Sequence, residues 1–173
     1  MGGPFCFGVC VMTTPTLHMI CGKAASGKST LAATLGAAQG TVLVSEDVWL
    51  SALFADQMTT LRDYASCAAR LRSVMGPHVA DLLGAGLSVV LDFPANTRGT
   101  RDWMRGIVDA SGADHVMHVI EVPDDVCKAR LRQRNASGEH PFSVTDEQFD
   151  LLASYFEPIS ADEGFALRHH PSD

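Results

Sequence analysis

The amino-acid sequence predicts a three-layer α/β sandwich built on a parallel sheet, and three observations predict it. The stretch "ICGKAASGKST" (20–30) fits the GxxxxGK[ST] phosphate-loop pattern, with Gly22, Gly27, Lys28 and Ser29 at the required spacing. Short apolar runs rich in β-branched residues recur along the chain, separated by stretches of helical period. Strands alternating with helices at this spacing pair in parallel through right-handed crossovers. A chain of 173 residues is long enough to bury one core without disulfides or metal, so a single domain over 1–173 is expected.

"TLHMIC" (16–21) is an apolar strand that runs into the glycine loop, and "KSTLAATLGAAQ" (28–39), rich in Ala and Leu, is a helix. "TVLV" (41–44) is a second strand, and "SEDVWLSALF" (45–54) opens with capping-type residues before an apolar helix. Between Thr60 and Leu83, Tyr64, Ala68, Leu71, Met75, Val79 and Leu82 recur at spacings of three and four, an amphipathic helix that Gly76 and Pro77 should kink or split. "LSVVLDF" (87–93) is a buried-type strand, followed by a loop and a helix carrying Trp103, Met104, Ile107 and Val108. "HVMHVIEV" (115–122) is the fourth strand, and "PDDVCKARLRQRN" (123–135) is a helix with proline in its first turn. "NASGEHPFS" (135–143) reads as a loop, Thr145 to Tyr155 as a last helix, and "FALRH" as a candidate fifth strand.

The net charge of −7 opposes broad attraction to nucleic acid or to an anionic membrane. Ten of the 13 basic residues are arginine, whose planar fork suits phosphate oxygens, and seven of the 13 fall between Arg98 and Arg134. Cys6, Cys10, Cys21, Cys67 and Cys127 show neither CxxC spacing nor a nearby histidine, and read as reduced thiols of a cytoplasmic protein. Residues 1–15 lack the positive region of a signal peptide and read as an extension, with Met12 a plausible start. No segment reads as a membrane anchor or an obligate dimer interface, so a monomer or weak dimer is expected.

In open parallel sheets ligands sit beyond the carboxyl ends of the strands, and the loop, Asp47, Asp92 and Glu121 all fall there. The loop Gly22, Lys23, Ala24, Ala25, Ser26, Gly27, Lys28, Ser29 and Thr30 would hold a nucleotide's phosphates, with Lys28 on the β and γ groups and Ser29 on Mg²⁺. Asp92 ends "SVVLD", either as a Mg²⁺-holding acid or as a strand-terminal turn residue. Asp47 could accept a proton from an attacking hydroxyl or cap a helix, with Ser45 and Glu46 as rivals for the cap. Arg130 and Arg134, four apart on one helical flank, either neutralise a transferring phosphoryl or form a solvated face. Arg98 and Arg101, at an N-terminal turn where basic residues are unfavourable, are candidates for an anionic substrate. The seven histidines show no catalytic partner: His18 reads as a structural strand residue, and His140, His169 and His170 as loop or tail.

Together, "GKAASGKST", "SEDVW", "VVLDFPANTR" and "VCKARLRQRN" with its following loop resemble the P-loop kinase-like ATP-binding proteins, the small P-loop NTPase phosphotransferases related to zeta toxins, chloramphenicol phosphotransferase and polynucleotide kinase domains. The resemblance covers about residues 16–168 and implies a five-stranded, mostly parallel sheet in the order 2-3-1-4-5 with a small lid at about 135–145. It implies ATP and Mg²⁺ as cofactors, Asp47 as the base toward a substrate hydroxyl, Asp92 as the Mg²⁺-organising acid and Arg130 and Arg134 on the helix leading to the lid. The substrate-recognition residues of zeta toxins and of chloramphenicol phosphotransferase have no match, so neither substrate is implied. The expectation is an ATP-dependent kinase acting on a small hydroxylated molecule, with Trp49, Leu53 and Phe54 as candidate pocket lining. The rival readings are a 5′-hydroxyl nucleic-acid kinase with Arg98, Arg101 and Arg105 as its phosphate track, and a regulatory ATPase module with no acceptor.

Overall fold

The structure, a computed structural model, describes residues 14–137 and 143–171. Most of the expected N-terminal extension, Cys6, Cys10, His140 and the centre of the expected lid lie outside the described residues. In chain order the elements are β1 (Thr16–Cys21), α1 (Lys28–Gly36), β2 (Thr41–Ser45), α2 (Glu46–Phe54), α3 (Leu61–Gly84), β3 (Ser88–Pro94), α4 (Arg98–Ser111), β4 (Asp114–Ile120), α5 (Asp124–Ser137), α6 (Asp146–Ser154) and β5 (Leu167–His170). The strands form one sheet in the order β2-β3-β1-β4-β5, and every pairing is parallel. Helices cover both faces, giving three layers.

The two-residue period of the strands sorts their side chains between two apolar layers. Leu17, Met19, Leu91, Phe93 and Met117 pack against α3 and α4 through Leu71, Met75 and Met104. Ile20, Val90 and Ile120 point the other way, onto Ala32, Leu31 and Leu35 of α1. A smaller cluster joins Cys127 and Leu131 of α5 to Phe149 of α6 and to Ala24 and Ala25 of the phosphate loop.

The break expected in α3 at Gly76 and Pro77 is absent, and the helix is continuous for 24 residues. It starts on a capping box in which Thr60 and Asp63 satisfy each other's backbone amides, and it buries Ala68, Leu71, Met75 and Val79 along one face. That packed face outweighs the single amide proton proline lacks. Gly76 serves close packing: a Cβ there would lie 3.0 Å from the Trp103 indole nitrogen.

Arg98, Arg101 and Arg105 of α4 turn toward residues 157–165. Arg101 is fully buried, with Nε 2.6 Å from Glu163 Oε2 and further donations to the carbonyls of Ala95 and Glu157. Arg98 pairs with Asp162 at 2.6 Å. Arg105 donates to the Glu163 carbonyl and lies 4.3 Å over the Phe165 ring. The assignment of Arg101 to a substrate is therefore corrected: its guanidinium is used up inside the fold, fastening the C-terminal segment to α4. The same contacts engage Arg98 and Arg105 with residues 162–165, although Arg98 keeps half of its side chain exposed.

Candidate functional site

The phosphate loop leaves β1 at Cys21 and is shaped by close approach. A Cβ on Gly22 would sit 2.6 Å from Ser26 Oγ and 2.9 Å from the Ile120 carbonyl oxygen, so only glycine fits. Gly27 holds φ +103 and Ala25 φ +55, left-handed values that turn the chain into α1. The start of α1 has no side-chain cap and no acid in its first turn, so its amides remain available to an anion. Lys28 folds back across the loop, its Nζ donating to the carbonyls of Gly22 and Lys23 at 2.7 Å each. Lys23 turns outward to Asp124, at 2.5 Å.

Around Lys28 the acids of two strand ends, Asp92 and Asp47, converge. Burial pushes its ammonium below the ordinary lysine range, opposed first by the charge of Asp92, then Cys21 and Asp47. Asp92 sits where the β1–β3 register slips: Met19 pairs with Leu91, but Ile20 pairs with Pro94. This bulge frees Asp92 from the β1 ladder, while Ser45, its register partner on β2, donates to Asp92 Oδ2 at 3.5 Å. Asp47 is half-buried in the first turn of α2, and its field reaches both Lys28 and Arg134. Neither rival takes its place. Ser45 makes no side-chain cap bond, and Glu46 is fully buried, accepting from Arg72 Nη2 at 2.9 Å and from the Tyr64 hydroxyl at 3.1 Å.

Among the described residues no group of three His, Cys, Asp or Glu side chains could hold a metal ion by itself. Ser29 and Asp92 instead offer a hydroxyl and a carboxylate. Such hard oxygen donors fit Mg²⁺, a cation that takes the rest of its shell from phosphate and water.

Beside the loop lies a pocket of about 630 Å³, a size suited to a small ligand. Ser26, Gly27 and Thr30 form one side, Arg130 and Arg134 of α5 another, and His170 of β5 a third. Ser26 Oγ and Arg134 Nε are buried there without a hydrogen-bond partner among the described residues, and two such orphans at one pocket mark a place for an oxygen-rich ligand. Burial pushes the Arg134 guanidinium down and the charge of Asp47 opposes the shift. Lys128 and Arg132, on the other flank of α5, pair with Asp150 and Asp146 of α6.

The fold thus brings together the loop, Lys28, Asp47, Asp92, Arg130 and Arg134, and leaves Arg98 and Arg101 to the α4 flank. Trp49 and Leu53 are exposed on α2, while Phe54 packs against the core under Arg70. Two contributors escape sequence reasoning. Asn96 holds the loop entrance, its Oδ1 accepting from the Gly22 amide at 2.9 Å, and its place in "DFPANT" just after Asp92 was the available signal. His170 belongs to β5, and nothing in the sequence connects it to a loop 140 residues earlier.

A phosphate loop on a parallel 2-3-1-4-5 sheet, with a strand-end acid and an arginine-bearing helix beside it, defines a P-loop kinase-like protein. The chain belongs to the AAA domain family AAA_33, whose model matches residues 17–159. No curated protein sequence matches it. Among solved structures it is similar to a candidate kinase from Chloroflexus aurantiacus J-10-fl, with 20% identity, TM-score 0.73 and coverage of 92% of this chain and 86% of that one. It also resembles Chaetomium thermophilum Kti12 in complex with ADP-AlF3, with 15% identity, TM-score 0.66 and coverage of 92% and 91%. The Mycobacterium tuberculosis APS kinase CysC, in complex with AMPPNP and APS, has 20% identity, TM-score 0.58 and coverage of 90% and 88%.

Proposed function

We propose that the protein is a kinase that transfers the γ-phosphoryl group of ATP, with Mg²⁺, to a hydroxyl of a small molecule. The observation that carries this reading is the electrostatic gathering of Asp92, Asp47 and Arg134 around the Lys28 loop, beside a pocket with two orphaned polar atoms. Lys28 would leave the carbonyls of Gly22 and Lys23 for the β and γ phosphates, and the amides from Gly27 to Thr30 at the start of α1 would cradle them. Ser29 and Asp92 would hold Mg²⁺, which when bound neutralises phosphate charge. Asp47 would take the proton from the acceptor hydroxyl as that oxygen attacks the γ-phosphorus and ADP leaves. Arg130 and Arg134 would balance the charge spread over the transferring group. The acceptor would enter from the α2 side, where Asp47 lies.

The test is ATP turnover with Mg²⁺, alone and with pools of hydroxylated metabolites, antibiotics, nucleosides and a 5′-hydroxyl oligonucleotide, with the phosphorylated product identified by mass. The expected result is a pool-dependent product whose formation falls by roughly 10²–10³ in Asp47→Asn while ATP binding persists. Phosphorylation confined to the oligonucleotide would establish the nucleic-acid kinase instead. Turnover indifferent both to every pool and to Asp47→Asn would establish an acceptor-free ATPase module.

A further inference from the structure

Three histidines make a continuous ladder across the sheet. His18 Nδ1 lies 3.1 Å from His118 Nε2, and His118 Nδ1 lies 2.8 Å from His170 Nε2. The rings belong to β1, β4 and β5, and successive centroids are 5.3 and 5.1 Å apart. His118 is fully buried, whereas His18 and His170 are half-buried, and His170 lines the pocket beside the phosphate loop.

The chemistry of such a chain is restrictive. A neutral imidazole carries one N–H and one lone pair, so three neutral rings hold three protons, of which two bridge and one points outward from one end. A fourth proton is accepted without breaking either hydrogen bond. The bridges then run in one direction or the other with the charge on an end ring, or diverge from His118 with the charge at the centre, and both outer nitrogens carry protons in every case. A fifth proton would force two donors to face each other. The ladder therefore stores one proton, and its charge moves between His18 and His170 by shifting the two bridging protons.

We propose that His170 is a nucleotide-binding residue and that the ladder behind it takes up one proton from solvent when a nucleotide binds, presenting His170 to the anion as a charged N–H donor. The proposal rests on the kinase reading only in taking the pocket to be the nucleotide's. Other charges around the ladder fit a store that is empty until an anion arrives. Arg168, the register partner of His118 on β5, is cationic and opposes charge on His118 and His18. From β3, His18 meets only Val90 in register. The sequence of α1 carries no ionisable side chain after Lys28, and His169 lies 3.9 Å from Glu121, the residue that follows β4. Arg130 and Arg134 stand across the pocket, where a bound polyphosphate would neutralise them. Burial keeps the central ring neutral, so the added charge resides at an end.

The experiment is calorimetric titration of the full chain with ADP and Mg²⁺ near pH 6.3, in two buffers of different ionisation enthalpy, for the native protein, His170→Gln and His118→Phe. The nucleotide's own phosphate titration is common to all three, so the difference isolates the ladder. The native protein should take up roughly half a proton more per ADP than either variant, and its affinity should tighten several-fold more between pH 8 and pH 6. Nitrogen-15 spectra of the native protein's histidines, which require no variant to fold, should show His170 becoming protonated on both nitrogens with ADP while His118 stays neutral. Equal proton uptake in native protein and variants, or an unchanged His170 spectrum with ADP bound, overturns the proposal and leaves the kinase reading standing. No ADP binding at any pH overturns both.

Discussion

At the residue scale, the loop is governed by what cannot be added to it. Gly22 Cα faces a backbone carbonyl of the neighbouring strand, which cannot swing aside as a side chain can. Gly22→Ala should therefore destabilise the fold by about 1–3 kcal/mol, the usual range for overpacking, and should weaken ATP binding further by widening the loop. Denaturant midpoints and ATP titration of the same variant check both parts. Lys28 is different, since its ammonium rests on two carbonyls rather than on a carboxylate. Lys28→Ala should leave the denaturant midpoint within about 1 kcal/mol while lowering ATP turnover by roughly 10²–10³. A large stability loss with turnover retained would assign Lys28 to the fold rather than to the phosphates.

At the element scale, two ion pairs hold helices to their neighbours, and neither is at the surface. Glu46 fixes the start of α2 to α3 through Arg72, and so sets where Asp47 stands; burial pushes its carboxyl up and Arg72 pulls it back. Arg101 and Glu163, with side chains 1% and 3% exposed, pin residues 157–165 to α4. Removing one partner from such a pair leaves a buried charge unanswered, so Arg101→Ala should cost about 3–5 kcal/mol. Limited proteolysis of that variant should cut first between 157 and 165. A first cut elsewhere would mean that the apolar contacts of Phe156, Ile159 and Phe165 hold the segment without the pair.

At the scale of the whole molecule, acid stability should follow the histidines. Burial, then His18, His170 and Arg168, push His118 down to about 4 from its ordinary 6.5, and burial lowers His18 as well. The unfolded chain therefore binds protons below about pH 6.5 that the folded chain refuses. Stability is full above that pH and falls as pH drops toward 4, by up to about 1.4 kcal/mol per unit for each ring. Chemical denaturation at pH 7.5 and pH 5 should show this slope in the native protein and a shallower one in His118→Phe; equal slopes would refute it. What the sequence made legible was contiguous: the loop, the acid ending an apolar run, and the alternation that yields a parallel sheet. The ladder joins residues 100 and 52 positions apart, and the Arg101 latch spans 62, so no local pattern announces them. Those same spans bear on how the chain is made. A ribosome that has delivered residues 1–156 has released the whole phosphate loop, yet Arg101 has not met its carboxylate and β4 has one edge unpaired. The nascent protein can thus display the ATP loop well before it owns the wall that holds His170, and until residue 170 emerges that open strand edge is the surface a chaperone would find.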